Sequence, residues 1–165
     1  PEPAPAAGCV TKARLAEIRR RLDDVERHRA ALHEHLAPYA GQSGAKRFVE
    51  DAGSSGTDPL ARAYLVQASF ENTVNHFVAI AKDVAATVPG GADVDGLTAL
   101  RLLVRERILD DRTRRELHEA QVIRNGLQHA YAETAPVELL RAAQAVDRSG
   151  DGYCAAISRW LDRQV

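Results

Sequence analysis

A short stretch near residue 125 of this 165-residue chain gathers the side chains best suited to catalysis. It reads VIRNGLQHAYAET over residues 122–134 and carries Arg124, Asn125, His129 and Tyr131. An arginine presents a fixed fork of donors to phosphate oxygens and stabilises negative charge that develops on them. A histidine titrates near neutral pH and transfers protons to and from reacting oxygens. These residue types suit metal-free cleavage of a phosphodiester, in which the neighbouring 2′-OH of RNA is the nucleophile.

The spacing of these residues determines how they share a helix. At 100° per residue, Arg124 and Tyr131 lie about 20° apart, and Asn125 and His129 stack on the neighbouring face. Arg124 and His129 are about 140° apart, so one helix holds them only loosely. Two copies that meet across a dimer axis would bring both pairs into one cleft. The polar residues occupy one arc beside an apolar stripe, which consists of Ala120, Ile123 and Leu127. On the pattern alone, a solvated surface arc is the competing interpretation.

The segment RNGLQHAY also resembles the R-x4-H-x-Y signature of HEPN-domain proteins, specifically the HepT-type toxin subunits. Arg124 is followed after four residues by His129, and after one more residue by Tyr131. Asn125 follows the arginine, as in many HEPN motifs. The order of elements is similar too: a long first helix, a Gly-rich turn, a second long helix and the motif helix. The resemblance covers most of residues 14–165.

The resemblance implies an all-helical, homodimeric, metal-independent endoribonuclease that needs no cofactor for cleavage. Arg124 and His129 are then catalytic and Asn125 supports them, in a site formed by both protomers. HepT-type toxins are neutralised by a minimal nucleotidyltransferase antitoxin, which transfers AMP to the motif tyrosine, here Tyr131. Adenylylation would add bulk and negative charge where the RNA phosphate must bind.

Two alternatives from other classes stay open. In the first, the chain is a non-catalytic HEPN subunit that binds nucleotide or substrate for a nucleotidyltransferase partner. In the second, it is a structural helical partner whose long first helix is the dimerisation surface. The binding subunit predicts that Arg124→Ala weakens ligand binding and that no RNA is cleaved. The structural partner predicts wild-type behaviour from the His129→Ala protein in every assay except stability.

An arginine-rich segment precedes the motif. Arg112 and Arg115 lie within RLLVRERILDDRTRRE and are candidates for a rim that binds the RNA backbone. The same segment contains Glu106, Asp110, Asp111 and Glu116. Self-paired salt bridges on the surface are therefore the favoured interpretation.

The remaining histidines do not predict a metal site. His28, His33 and His35 cluster in HRAALHEH, but no two of them have the i, i+4 spacing that joins a metal on one helix face. His76 and His118 are isolated on predicted helices and are expected to be structural.

The segment DRSGDG at 147–152 resembles the opening of a calcium-binding loop. The twelfth position of such a loop is a glutamate, whereas this chain has Ser158 there. The segment is therefore predicted to be a turn.

Composition sets the broad class. Hydrophobic residues make up 45% and charged residues 27% of the chain, which is typical of a globular protein. A net charge of −1 argues against a protein that coats nucleic acid non-specifically. No apolar run approaches the roughly 18 residues of a membrane span, so no membrane partner is expected. Cys9 and Cys154 show no metal-ligand spacing, and a cytoplasmic location is expected.

Apolar periodicity predicts an all-α, up-and-down bundle of about five helices in a single domain at 13–165, after a flexible leader at 1–12. The first helix ends before Pro38, and one helical turn follows at 46–51. Thr57 or Asp58 is expected to cap the second helix, which closes at Pro89 with a core stripe from Ala63 to Val88.

Three further helices complete the prediction. One covers residues 97–109, and the motif helix begins at Asp110 or Asp111 and reaches about Tyr131. Pro136 opens the last helix. Because RSGDG contains two glycines, the last helix is predicted to kink or split at 148–152.

Overall fold

The computed structural model describes residues 10–129 and 135–164, except for the side chains of residues 128 and 129. Over these residues it contains no strand, so the all-α prediction is confirmed. The elements are α1 (Lys12–Leu36), a 3₁₀ turn (Ala37–Tyr39), α2 (Gly44–Ala52), α3 (Thr57–Ala85), α4 (Gly96–Arg105), α5 (Asp111–His129) and α6 (Pro136–Asp162).

Helix α3 is the centre of the bundle and contacts all five other helices. Its predicted stripe is confirmed from Ala63 to Val84, and Phe70 and Phe77 are fully enclosed. Val88 is the exception, because α3 ends at Ala85 and Val88 is only half-buried. The predicted end at Pro89 was therefore four residues too late.

Helix α1 runs antiparallel to α3. Arg14 near its start lies 3.8 Å from Asp83 near the end of α3, and His35 near its end contacts Ser69 at 2.7 Å. Thr11 caps α1 by accepting the Arg14 N–H at 3.2 Å. The helix therefore begins at Lys12, the last residue of the predicted leader. Residues 1–9 of that leader lie outside the described residues.

Two predictions around α2 were wrong. The single turn predicted at 46–51 is a nine-residue helix, because Phe48 packs edge-on against Tyr39 with ring centroids 5.0 Å apart. Neither Thr57 nor Asp58 caps α3, since both lie inside its first turn and Gly56 is the cap residue.

Helix α4 is shorter than predicted. Asp95 caps its start by accepting the N–H groups of Leu97 and Thr98 at 2.8 and 3.0 Å. The helix ends at Arg105, and Arg107 then adopts a φ of 56°. Ile108 and Leu109 beyond it are still buried, so the apolar pattern continued past the end of the helix.

Helix α6 is continuous through 147–152, so the predicted turn and helix break were both wrong. A side chain of α1 explains why a glycine occupies position 150 of this helix. A Cβ added to Gly150 would overlap the Arg29 Nε atom and lie 2.8 Å from its Cδ. Gly150 therefore provides space for the Arg29 guanidinium, which donates to Asp151 at 2.7 Å. In this helix the glycine allows close packing and does not interrupt the backbone.

Across residues 10–129 and 135–164, no helix has both the length and the apolar character needed to cross a bilayer. Cys154 is a buried free thiol on α6. Burial raises its pKa to about 11, so it is a poor nucleophile at neutral pH. Cys9 lies outside the part of the chain that the structure describes.

Candidate functional site

The start of the motif helix is held by a side-chain cap. Asp110 accepts the Thr113 N–H at 2.7 Å and the Thr113 hydroxyl at 3.0 Å. These hydrogen bonds to the carboxylate lower the pKa of Asp110. Thr113 itself is buried, so the cap anchors α5 to the core and also determines where the helix begins.

The predicted apolar stripe orients the middle of α5. Ala120 and Leu127 are buried, and Ile123 is half-buried against the core. Gln121 lies beside the first residue of α4, where a Cβ on Gly96 would be 2.9 Å from its Nε2 atom. The absence of a side chain at Gly96 therefore allows α4 and α5 to approach closely.

Arg124 and Asn125 form the polar centre of the described site. Arg124 is half-buried on the side of α5 next to the stripe, whereas Asn125 is exposed. The Nη1 group of Arg124 donates to the Asn125 Oδ1 atom at 3.0 Å. This bond holds the guanidinium along the helix surface with its second amino group available for an anionic ligand.

The surroundings of Arg124 differ from those of the other arginines on α5. Its Nε atom is buried and has no hydrogen-bond partner among the described residues. In contrast, Arg114 binds Asp111 at 2.7 Å. A buried donor without a partner is costly in a folded protein and is therefore informative about a ligand.

The other two motif residues lie beyond what the structure describes. His129 is the last residue of α5, and its side chain is outside the described set. Tyr131 is also outside it. The convergence of Arg124, Asn125 and His129 in one site thus stays a prediction, as does the role of Tyr131.

The arginine rim is engaged in local ion pairs. Arg112 binds Glu116 at 3.2 Å, and Arg115 binds Asp111 at 3.3 Å. Both arginine side chains are more than half exposed, at 78% and 64%, so these pairs are screened by solvent. Self-pairing was the favoured interpretation and is confirmed. RNA binding by Arg112 and Arg115 stays a prediction.

An open groove of about 740 Å³ separates α5 from α6, and we call it the α5–α6 groove. Its apolar lining includes Val122, Ile123, Ala142 and Ala145. Val122 is 55% exposed, which is unusual for a valine on a helix that already buries an apolar stripe. The α5 side of the groove carries Glu116, His118 and Glu119, and the α6 side carries Glu138, Arg141 and Arg148.

The histidine cluster of α1 is dispersed over the bundle. The rings of His28 and His76 stack across α1 and α3 with centroids 4.5 Å apart. His33 Nδ1 contacts Asp147 of α6 at 3.0 Å, and His35 contacts Ser69 of α3. Within the part of the chain that the structure describes, no three His, Cys, Asp or Glu residues are placed to hold a metal ion.

The described residues thus define an all-α bundle with a polar arc on its fifth helix. No family model, curated protein or solved structure matches the chain. Its function must therefore be argued from its own residues and from the motif.

Two features of this region were missed by the sequence analysis. Val122 lies inside the quoted motif but outside its polar arc and its stripe. Tyr64 is 56% exposed on α3, next to the stripe residue Ala63. The available signal in both cases was a large apolar or aromatic side chain at an off-stripe position of an amphipathic helix.

Proposed function

We propose that this protein is the toxin subunit of a toxin–antitoxin pair and cleaves RNA without a metal ion. The observation that carries the proposal is the half-buried Arg124, held by Asn125 in the R-x4-H motif. A guanidinium fixed in this way binds a phosphate with little loss of side-chain entropy and stabilises the charge of the transition state. His129 acts as the acid and base, and the 2′-OH attacks to leave a cyclic phosphate. This activity would belong to the cytoplasm, where RNA is available.

The active form in this proposal is a homodimer. The α5–α6 groove supports it, because the exposed Val122 lies on the helix that carries the motif. A two-fold axis places the same surface patch of each chain against the other. The acidic α5 side of one groove then faces the basic α6 side of its partner. In the proposed dimer, His129 lies seven residues after Val122, on the same face of α5 and therefore at the interface.

A nucleotidyltransferase antitoxin regulates the nuclease in this proposal. It transfers AMP to Tyr131, two residues after His129, and releases pyrophosphate from ATP. The added phosphate competes electrostatically with the RNA phosphate. Mass spectrometry of protein co-expressed with a candidate antitoxin should show addition of one AMP at Tyr131.

The first experiment is cleavage of single-stranded RNA by purified, unmodified protein in EDTA. We expect the wild type to cleave, and we expect the His129→Ala protein to be inactive. His33→Ala is the matched control, because His33 lies on α1 and is bonded to Asp147 of α6. Arg124→Ala should reduce the cleavage rate about 100- to 1,000-fold, the effect of removing one donor to a developing oxyanion.

Arg114→Ala tests whether any arginine of α5 would give the same loss. Arg114 lies on the same helix and is paired with Asp111. Its removal should leave the rate within a few fold of the wild type. Absence of cleavage by protein with an unmodified Tyr131 would exclude the nuclease, and equal losses in the two arginine variants would exclude the assigned role of Arg124.

A further inference from the structure

A second cleft opens at the end of α5, where Leu127 lies three residues after Arg124. It has a volume of about 180 Å³ and lies where α2, α3, α5 and α6 meet. We call it the Tyr64 cleft, after the exposed aromatic residue in its lining. Phe48, Leu127 and Leu139 contribute apolar side chains to its lining, and polar atoms make up nearly half of its exposed surface.

The size of the Tyr64 cleft limits its ligand. Pockets for drug-sized molecules measure roughly 300–1,000 Å³, so a cleft of about 180 Å³ suits a single flat ring system. Tyr64 is 56% exposed, which makes an aromatic face available for stacking. An exposed aromatic ring beside apolar side chains is the arrangement on which single-stranded nucleic acids stack their bases.

Gln67 provides one polar group in the lining. Its Nε2 atom donates to the Glu71 carboxylate at 2.9 Å. A carboxylate accepts hydrogen bonds, so the amide orientation is determined by this contact. The carbonyl oxygen of Gln67 is the group left to bind a ligand. As an acceptor it can take a hydrogen bond from the exocyclic amino group of adenine or cytosine, a group that uracil lacks.

The position of the cleft relates it to the proposed phosphate site. Leu127 follows Arg124 by three residues, so the two share a face and are separated by about 4.5 Å along the helix axis. That separation is within the span of one nucleotide. A strand whose phosphate binds Arg124 can therefore place a neighbouring base against Tyr64.

From these observations we infer that the Tyr64 cleft binds one base of a single-stranded RNA, next to the phosphate held by Arg124. The inference rests on the proposed function, because it takes RNA as the ligand, and it adds a determinant of substrate specificity. Tyr64 stacks on the base, and Gln67 accepts a hydrogen bond from the amino group of that base.

The test is binding of short oligo(A), oligo(C) and oligo(U), measured by fluorescence anisotropy in the His129→Ala background so that the RNA stays intact. Tyr64→Ala should weaken oligo(A) binding about 5- to 140-fold, the range for loss of one stacked base. Tyr64→Phe should bind like the parent. Leu65→Ala is the matched control, because Leu65 is 47% exposed beside Tyr64 and is not part of the cleft lining.

Base preference provides a second readout. The parent protein should bind oligo(A) and oligo(C) about 2- to 12-fold more tightly than oligo(U), as expected for one hydrogen bond. Gln67→Leu should abolish that preference while leaving the stacking partner in place. Retention of the preference in this variant would overturn the role of Gln67.

The outcomes distinguish this inference from the nuclease itself. If RNA binds and only Tyr64→Ala weakens it, the base site stands whether or not the wild type cleaves. If Tyr64→Ala and Leu65→Ala bind RNA equally well, the base site is overturned although the nuclease can stand. If no RNA binds to the parent protein, both are overturned.

Discussion

At the scale of single residues, Gly150 and Gly152 lie two positions apart in α6 and have opposite surroundings. Nothing lies within 4 Å of a Cβ placed on Gly152, whereas one on Gly150 would overlap Arg29. Arg29 cannot easily move away, because its side chain is only 14% exposed and is bound to Asp151. The two positions therefore give a matched pair of substitutions in one helix.

Gly150→Ala should destabilise the protein by about 1–3 kcal/mol, the usual effect of overfilling a packed site. Gly152→Ala should increase stability by up to about 1 kcal/mol, because alanine is the better helix former. Urea unfolding followed by circular dichroism measures both. A double-mutant cycle with Arg29→Ala should show that the cost of Gly150→Ala falls once the guanidinium is gone. Equal effects of the two glycine substitutions would contradict the role assigned to Arg29.

The sequence predicts which residues of the motif share a face of the helix, but it does not predict which side chains surround each of them in the fold. The spacing of Arg124, Asn125 and Leu127 placed them correctly relative to the stripe, because one helix period determines that. The cleft around Tyr64 could not be predicted, since its walls come from four helices that are distant in sequence. The same reason explains the error at Gly150, whose function depends on a side chain of α1.

At the scale of helices, long periodic segments were predicted well and short or interrupted ones were not. The 25 residues of α1 repeat their apolar positions often enough to define a helix. Helix α2 has nine residues, which is too few for a clear period. The apolar pattern of α4 ran on to Leu109 because irregular backbone after Arg105 also buries Ile108 and Leu109.

The interface between α1 and α3 should weaken in mild acid because of His76. Burial against α1 lowers the pKa of His76 below 6.5, and the positive charge of a protonated His28 lowers it further. The Asp24 carboxylate raises this pKa, whereas the Arg21 guanidinium lowers it. A group whose pKa is lower in the folded protein binds fewer protons there than in the unfolded chain. The contribution of His76 to the free energy of unfolding is therefore fully present above pH 6.5 and is lost as the pH falls. The urea midpoint should therefore decrease between pH 7.5 and pH 5, and His76→Gln should reduce that decrease.

His33 provides a control of opposite sign for this pH dependence. The Asp147 carboxylate raises the pKa of His33, which joins α1 to α6. The contribution of His33 to the free energy of unfolding is therefore present at low pH and is lost as the pH rises through its raised pKa. His33→Gln should make the loss of stability in acid steeper than in the wild type. If both glutamine variants changed the slope in the same direction, the two histidines would not have the environments described.

At the scale of the whole molecule, the proposed activity depends on whether two chains meet through the α5–α6 groove. Val122 is the most exposed residue of its apolar lining, and the groove pairs an acidic side with a basic side. Val122→Glu would bury a charge among the apolar side chains that line the groove. An unpaired charge buried in an interface is unfavourable by several kcal/mol. We therefore expect this variant to be monomeric by sedimentation velocity.

The same variant should lose RNA cleavage together with dimerisation, because the proposed site takes residues from both chains. Val49→Glu is the matched control: Val49 is 41% exposed on α2, away from the groove. It should remain dimeric and active, and both variants should keep the helical circular dichroism of the wild type. A dimeric Val122→Glu protein would place the interface elsewhere on the bundle. A monomeric protein that cleaves at the wild-type rate would show that one chain holds a complete site.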